Sequence, residues 1–261
     1  MFRDRRDIIA IPTFNRVRHL LAFSKSLREL SGVNRYRIFI RDDASCEFDA
    51  REIASLFPQA DSVVRNDRNL GPDASQVRLF RDCIEAGARR IIILDSDMLL
   101  SPSFLEFTER VFDRTDGFLG LYNSTMHAVK REMDGELVEK SSAGGTATCW
   151  DAGLLDRALA QSSDEGASGW DAPAVAALVA MGKRVLVSRR SYAQHLGFMG
   201  TNNGVFGHID YGRDFVIETE DQARFMAETL NDMMSRQSQF LWPERGPRIT
   251  RLRKLLKWGE Q

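Results

Sequence analysis

An apolar run that ends in two acids constrains the fold of this chain more than any other feature. Ile91-Ile92-Ile93-Leu94 is followed directly by Asp95-Ser96-Asp97, and Pro102 opens a turn soon afterwards. A short run rich in branched apolar residues predicts a strand covered on both faces, as in a mostly parallel sheet flanked by helices. Ligands bind beyond the carboxyl ends of such strands, so we expect Asp95 and Asp97 to lie in a binding site.

The two acids require a partner, because a carboxylate is not buried without a compensating charge or hydrogen bond. Mg²⁺ is usually held by one or two carboxylates together with phosphate oxygens, so a divalent cation on a substrate diphosphate is a natural partner. The alternative is a loop acid that caps the following helix. Ser101, just before Pro102, suits that cap better, so we favour the binding site.

Composition excludes several classes of protein. The 261 residues include 36 basic and 37 acidic side chains, so the net charge of -1 gives no general attraction to nucleic acid, and we expect no nucleic-acid partner. No apolar stretch approaches the ~20 residues that span a bilayer, and the charged first six residues lack a secretory signal, so we expect a cytoplasmic protein. Cys46, Cys83 and Cys149 show no CxxC spacing and predict neither a disulfide framework nor a zinc site.

The first hundred residues alternate between strand-like and helix-like segments, which predicts an α/β fold with right-handed crossovers and a mostly parallel sheet. The predicted strands are 7–11, 36–41, 62–65 and the run ending at Asp95; the predicted helices are 16–30, 48–56 and 72–86.

After Pro102 the pattern changes. A helix to about residue 114 and a strand over 117–122 lead into segments 126–131 and 137–140, which flank an Asp-Gly hairpin signal and predict a small antiparallel addition. Residues 141–145 predict a flexible segment, residues 151–161 and 171–181 predict helices, and the polar loop 162–169 could close over a ligand. Strands are predicted at 183–187 and 191–195. We divide the chain into a first half (1–100), a second half (101–215) and a C-terminal helical extension (216–261).

The C-terminal extension carries two helical patterns. A capping-box start at Thr219 precedes an apolar stripe of Ala223, Met226, Leu230, Met233 and Met234 that predicts a packing face. The segment Arg245–Trp258 is basic and amphipathic. It predicts either a helix docked on its own domain or a peripheral contact with an anionic membrane.

Four segments occur in a characteristic order: Ile9-Ala10-Ile11-Pro12-Thr13-Phe14-Asn15-Arg16, Ile40-Arg41-Asp42-Asp43-Ala44-Ser45, Asn69-Leu70-Gly71 and Leu94-Asp95-Ser96-Asp97. Together they resemble the nucleotide-binding half of bacterial-type family 2 glycosyltransferases, which have the GT-A fold. The resemblance covers residues 7–100 strongly and continues more loosely to about residue 200. It implies a glycosyltransferase that uses a UDP-sugar donor and a divalent metal, Mn²⁺ or Mg²⁺. It also implies that residues 1–100 are the nucleotide-sugar-binding half, and residues 101–215 the acceptor-binding and catalytic half, of one GT-A domain.

The resemblance assigns nucleotide-binding roles in the first half. Pro12, Thr13 and Asn15 would meet the nucleotide beside a helix start, although Thr13 and Asn15 could simply cap that helix. Asp42 would accept a hydrogen bond from the N3–H of uracil, and thymine presents the same group. Asp43 would either assist Asp42 in this contact or hold the loop. Arg65 would meet the base or the diphosphate, or would be a surface charge.

The same resemblance gives the two acids Asp95 and Asp97 different roles. Asp95, with Ser96 beside it, would approach the ribose, and Asp97 would bind the metal. His195 matches a position where many GT-A enzymes place a further metal contact, and a structural role is the alternative. His208 is the second candidate for that contact. His19 and His127 are expected to have no role in the site.

Asp171 occupies the position of the catalytic base, at the start of a helix that favours its ionised form, and a helix cap is the alternative. The resembling proteins more often carry Glu-Asp where this chain has Trp170-Asp171. Trp150 would line the acceptor or donor-sugar pocket. Trp170 would form an apolar wall for a sugar ring or would simply pack.

These features predict an inverting glycosyltransferase that moves a sugar to the hydroxyl of a glycan or lipid-linked acceptor. A sugar-nucleotide nucleotidyltransferase is disfavoured, because Ile11-Pro12-Thr13-Phe14-Asn15 offers neither a glycine-rich loop nor a lysine. A non-catalytic glycosyltransferase-like binding domain is the remaining alternative, and the joint presence of Asp42, Asp95, Asp97 and Asp171 argues against it.

Overall fold

The chain divides into two compact units, residues 1–218 and 219–261. A computed structural model describes residues 6–161, 169–196 and 212–218 of the first unit, and residues 220, 223, 224, 227 and 228 of the second, which are helical. Within these residues no helix is long and apolar enough to cross a membrane. The loop 162–168, the reserve ligand His208, most of the methionine stripe and the basic segment Arg245–Trp258 lie outside the described residues.

The first unit is a mixed α/β structure. Its larger sheet contains β1 (Asp7–Thr13), β2 (Arg37–Asp42), β3 (Ser62–Arg65), β4 (Arg90–Ile93), β6 (Phe118–Gly120), β7 (Val129–Glu132), β8 (Leu137–Lys140), β9 (Thr148–Asp151) and β10 (Leu186–Ser188). A smaller sheet pairs β5 (Met98–Leu100) with β11 (Ala193–His195). The helices are α1 (Val17–Arg28), α2 (Ala50–Leu56), α3 (Pro72–Glu85), α4 (Phe104–Val111), α5 (Ala152–Gln161) and α6 (Asp171–Ala180), with 3₁₀ turns at Val33–Arg35 and Phe112–Arg114.

The larger sheet has the strand order β3-β2-β1-β4-β9-β6-β10-β8-β7. Strands β3, β2, β1 and β4 pair in parallel, so Thr13, Asp42 and the residues after Ile93 all reach the same edge. This arrangement confirms the predicted fold class, and the helices and strands predicted for residues 7–86 are present with ends shifted by one or two residues.

Strand β9 was not predicted. It lies antiparallel between β4 and β6, with Ile92 opposite Cys149 on one side and Leu119 opposite Cys149 on the other. Strands β8 and β7 add the predicted antiparallel hairpin beyond β10. The sheet is therefore more mixed than the sequence pattern indicated, and a single antiparallel strand joins its two halves.

The small sheet carries the chain back to the edge where β4 ends. Strand β5 pairs antiparallel with β11, which places His195 opposite Met98 and hence next to Asp97. A backbone hydrogen bond of 2.8 Å from Leu196 N to Asp97 O extends this pairing. The two segments are almost a hundred residues apart in the sequence, so only the fold brings them together.

The core has two layers because side chains alternate across each strand. Ile9 and Ile11 of β1 face one apolar cluster with residues of α1 and α4, whereas Ile8 and Ala10 face the other with residues of α3, α5 and α6. All four are fully buried. Full burial of a large apolar side chain stabilises a fold by about 1.5–3 kcal/mol, so this sandwich holds the edge that carries the polar residues.

Asp7 ties the amino ends of β1 and β4 together and gives the fold a testable dependence on pH. Its carboxylate accepts hydrogen bonds from Arg90 Nε at 3.0 Å and from Arg89 Nη2 at 2.9 Å. Burial raises the pKa of Asp7, but the two arginines outweigh it and the pKa is lowered overall. A lowered folded-state pKa gives stability that is present above the unfolded value of about 3.9 and is lost as the pH falls through the folded value.

We expect Asp7→Asn to lower the free energy of unfolding by about 1–3 kcal/mol at pH 7, because Arg90 then keeps a largely buried charge without its partner. The difference from the wild type should shrink below about pH 4, which urea unfolding at a series of pH values would measure. Asp156→Asn is the matched control, because the Arg81–Asp156 pair is exposed and contributes little. A destabilisation by Asp7→Asn that persists unchanged at low pH would contradict the assignment.

Candidate functional site

Asp97 is the centre of a polar cluster between the end of β4 and the start of β5. Its Oδ1 is buried and makes no hydrogen bond, and it lies 3.3 Å from Nε2 of His195. Its Oδ2 accepts a 2.6 Å hydrogen bond from Nη1 of Arg16, which stands just before α1. The structure therefore brings together the two residues that the sequence assigned to a metal, and it adds an arginine that was not assigned.

The groups around Asp97 are mostly cationic. Burial raises the pKa of Asp97, but His195 and Arg16 outweigh it and lower that pKa overall. Burial lowers the pKa of His195, and the Asp97 carboxylate reverses this effect, so the pKa of His195 is raised. His19, considered incidental from the sequence, is close enough for Asp97 to raise its pKa, although burial outweighs this effect and lowers the pKa overall.

Asp95 lies beside this cluster and faces the second half of the chain. Its backbone N–H donates to Oγ1 of Thr146 at 3.2 Å, in the loop that leads into β9. Burial raises the pKa of Asp95, and the negative charges of Asp97 and Asp171 raise it further. Asp95 and Asp171 are therefore close enough to interact electrostatically.

Asp171 is the first residue of α6, and backbone N–H groups hold its side chain. Gly145 N donates to Oδ2 at 2.9 Å and Ala172 N donates to Oδ1 at 2.8 Å. Each carboxylate oxygen keeps a second lone pair for a ligand. A side chain at Gly145 would collide with this arrangement, because a Cβ there would lie 2.8 Å from Asp171 Cβ and 2.5 Å from Trp170 Cζ2. Residues 141–145, predicted to be flexible, thus include a tightly packed glycine.

The two tryptophans assigned to a sugar pocket lie in the core. Trp150 is fully buried and stacks edge-on against Phe118 at 4.6 Å, so the prediction that it lines a pocket is wrong. Trp170 is 8% exposed, packs against Phe80 and donates from Nε1 to Gln76 Oε1 at 2.5 Å. These contacts are those of a side chain that packs in the core, as the alternative for Trp170 predicted, and they hold the start of α6.

A hydrogen-bond network surrounds the buried carboxylate of Asp42 at the end of β2. This carboxylate is fully buried and accepts hydrogen bonds from Ser45 and from Arg65 Nη1, the latter at 2.8 Å. Burial raises the pKa of Asp42, and the bonds from Ser45 and Arg65 only partly offset this. Arg65 also donates to the carbonyl oxygens of Phe48 and Ser45, so its guanidinium is held against the Asp42 loop although the residue is exposed.

Asp43 holds the loop between β3 and α3, which was one of its two predicted roles. Its carboxylate accepts from Leu70 N and Gly71 N, each at 2.9 Å, and from Asn66 Nδ2 at 2.7 Å. Gly71 has a φ of 84°, a conformation that glycine adopts readily. The Asn69-Leu70-Gly71 segment is therefore fixed by an acid from the neighbouring strand.

The end of β1 presents Pro12, Thr13 and Asn15. Pro12 is buried in the strand, and the Thr13 hydroxyl is buried without a hydrogen-bond partner. Asn15 does not cap α1; its Oδ1 accepts from Cys46 N at 2.8 Å and its N–H donates to Ser45 Oγ at 2.7 Å. Ser96, between the two acids, is half-buried.

The residues at Asp97 fit a divalent cation. Two ligand atoms that are each about 2.1 Å from an ion and at right angles lie about 3 Å apart, close to the 3.3 Å between Asp97 Oδ1 and His195 Nε2. The buried oxygen without a hydrogen bond is a suitable ligand atom. Across the described ranges no three His, Cys, Asp or Glu side chains are grouped to hold a metal, so the remaining ligands would come from a bound substrate or water.

Comparisons with known proteins agree with this geometry. Residues 8–125 match the model of the family described as glycosyl transferase family 2. A search of curated proteins gives no significant match.

Among solved structures, S. aureus TarS 1–349 is similar with a TM-score of 0.55 at 14% identity, over 92% of this chain and 75% of that chain. TarS 1–349 in complex with UDP-GlcNAc gives a TM-score of 0.52 at 14% identity, over 92% of this chain and 76% of that chain. A longer TarS structure gives a TM-score of 0.56 at 14% identity. The match covers 92% of this chain and 46% of that chain. At this identity the structural likeness shows the fold. The match of residues 8–125 to the glycosyl transferase family 2 model and this structural likeness therefore agree with the predicted family 2 glycosyltransferase of GT-A fold.

Proposed function

We propose that this chain is an inverting, metal-dependent glycosyltransferase that transfers a sugar from a UDP-sugar to an acceptor hydroxyl. The observation that carries the proposal is the convergence of four side chains on one edge of the sheet. Asp95 and Asp97 come from the end of β4, His195 from β11 and Asp171 from the start of α6.

The first half supports donor binding. Thr13 offers a buried hydroxyl without a partner at the end of β1, and Asp42 offers a carboxylate at the end of β2. Arg65 covers Asp42 but is itself 34% exposed, so a pyrimidine base can reach the carboxylate when Arg65 moves aside. TarS, which shares the fold, has been crystallised with UDP-GlcNAc, and this supports uridine as the base.

Asp97 and His195 would hold the divalent cation, which offsets the charge that develops on the departing diphosphate. Asp95 would contact the ribose, because a carboxylate accepts hydrogen bonds from hydroxyl groups. His195 is fixed by the β5–β11 pairing, so its nitrogen is already placed beside Asp97.

Asp171 would act as the general base. The acceptor oxygen forms a bond to the anomeric carbon from the side opposite the diphosphate, and its proton passes to Asp171. The bond from the anomeric carbon to the phosphate oxygen breaks, and its electron pair leaves with the diphosphate. One displacement with one base inverts the anomeric centre. A glycan or a lipid-linked sugar would supply the acceptor hydroxyl.

The proposal is tested with a panel of UDP-, GDP- and dTDP-sugars, with and without Mn²⁺. We expect a UDP-sugar with Mn²⁺ to raise the melting temperature most, since ligand at 100 times its Kd adds about 2.7 kcal/mol of stability. The same mixture should release UDP. A shift that is equal without metal, or a panel that gives neither a shift nor nucleotide release, would overturn the proposal.

Gly145 provides a graded test of the base. We expect Gly145→Ala to lower kcat by about 10- to 100-fold, because the new Cβ would push Asp171 and Trp170 apart, and misplacement by about 1 Å can cost 100-fold. UDP affinity should stay near the wild-type value. Gly144→Ala is the matched control, because no atom lies within 4 Å of its Cβ position. Equal activity of the two variants would show that Gly145 does not position the base.

A further inference from the structure

Arg16 is placed against Asp97 by a backbone conformation that few residues adopt. Asn15 has a φ of 52° and Arg16 has φ 60° and ψ 50°, so two consecutive residues other than glycine are left-handed. This conformation is unfavourable for L-amino acids with a side chain, and such residues concentrate at functional sites.

A single loop maintains this conformation. Ser45 Oγ accepts from Asn15 N at 2.7 Å, Cys46 N donates to Asn15 Oδ1 at 2.8 Å, and Glu47 Oε2 accepts from Val17 N at 2.9 Å. The hydrogen bonds hold the residues on both sides of Arg16. The guanidinium then reaches Asp97, 81 positions further along the chain, at 2.6 Å.

The contact has a chemical consequence for the metal site, because Arg16 takes the Oδ2 atom of the carboxylate whose Oδ1 faces His195. A divalent cation on Asp97 would be repelled by Arg16 and would compete with it. A diphosphate bound to that cation brings new negative charge to the same place. A guanidinium binds phosphate oxygens in a fork geometry at least as well as it binds a carboxylate.

We infer that Arg16 is a cation that changes partner during donor binding. It pairs with Asp97 before the donor binds, and it moves to the diphosphate when the metal takes Asp97. This inference rests on the proposed function. It makes Arg16 a donor-binding residue and explains why a strained turn places an arginine beside a metal ligand.

The test measures binding and not turnover. Isothermal titration calorimetry of the full chain with MnCl₂ alone, with UDP in the presence of Mn²⁺, and with uridine separates the two states of Arg16. We expect Arg16→Met to bind Mn²⁺ alone about 5- to 10-fold more tightly, because its competitor is gone, and to bind UDP with Mn²⁺ about tenfold more weakly. Uridine affinity should not change, because uridine has no phosphate.

Two further variants make the result decisive. Arg16→Gly suits the left-handed conformation but removes the ion pair with Asp97, so its melting temperature is measured only to check that the variant folds. It should show the same opposite changes in Mn²⁺ and UDP affinity. Arg18→Met removes the same charge from an exposed position of α1 and should alter neither affinity.

Unchanged affinities in both Arg16 variants, or Mn²⁺ and UDP affinities that change in the same direction, would overturn the inference while the wild type still binds UDP. A wild-type chain that binds no UDP, with or without Mn²⁺, would overturn the proposed function and the inference with it.

Discussion

Asp171→Asn is expected to lower kcat about 10³-fold, within the range that general bases contribute, while UDP binds as tightly as before. An amide keeps the shape of the carboxylate but does not take the proton of the acceptor hydroxyl. Only one of the two backbone donors, Gly145 N or Ala172 N, keeps an oxygen acceptor in this variant, so circular dichroism and the melting temperature check that the start of α6 stays in place. UDP release from the best UDP-sugar of the panel measures kcat, and calorimetry with UDP and Mn²⁺ measures binding.

Asp156→Asn serves as the control for this substitution, because it makes the same chemical change on the exposed face of α5. It should retain wild-type turnover. An Asp171→Asn chain that keeps more than a tenth of the wild-type kcat would show that Asp171 is only part of the helix start and that another group takes the proton.

Asp97→Asn is expected to abolish the dependence of UDP affinity on Mn²⁺ and to lower Mn²⁺-supported turnover by about 10³-fold. A bound metal supplies several kcal/mol of charge stabilisation to a departing phosphate, and about 1.4 kcal/mol corresponds to a factor of ten. An amide is a poorer ligand than a carboxylate for a hard cation. Uridine affinity should be retained, since uridine carries no diphosphate.

The neighbouring acid gives the contrast for this prediction. Asp95→Asn should weaken donor binding but keep its dependence on Mn²⁺, because Asp95 is expected to meet the ribose. Circular dichroism and the melting temperature would check that each variant folds. Wild-type dependence on Mn²⁺ in Asp97→Asn would show that the metal does not bind at this position.

The sequence predicted the secondary structure of the first half of the chain well because its signals are local. The strand at 91–94, the acids behind it and the alternation of strands and helices over residues 7–86 can each be read in a window of a few residues. Parallel pairing then brings the ends of β1, β2 and β4 to one edge without further information. The proximity of Thr13, Asp42 and Asp95 follows from these regularities.

The second half was harder to predict because its decisive contacts join distant segments. Strand β9 is four residues long and stays buried between two neighbours, so Thr148–Asp151 shows no alternation and looks like the lead-in to α5. Trp150 was therefore assigned to a pocket, although both flanking strands cover it. His19 and Arg16 lie at the start of an ordinary amphipathic helix, and only the loop 45–47 and the β5–β11 pairing show that they face Asp97.

Strand β9 also determines the spacing between residues that the proposed reaction would use. Its hydrogen bonds to β4 and β6 make one uninterrupted ladder, and the loop before it carries Thr146 to Asp95 and Gly145 to Asp171. In the proposed reaction, the base Asp171 and the donor-side acid Asp95 would thus both be tied to the segment that leads into β9. Changes in sugar or acceptor preference would then have to arise in loops at the rim, because altering the spacing itself would require breaking the ladder.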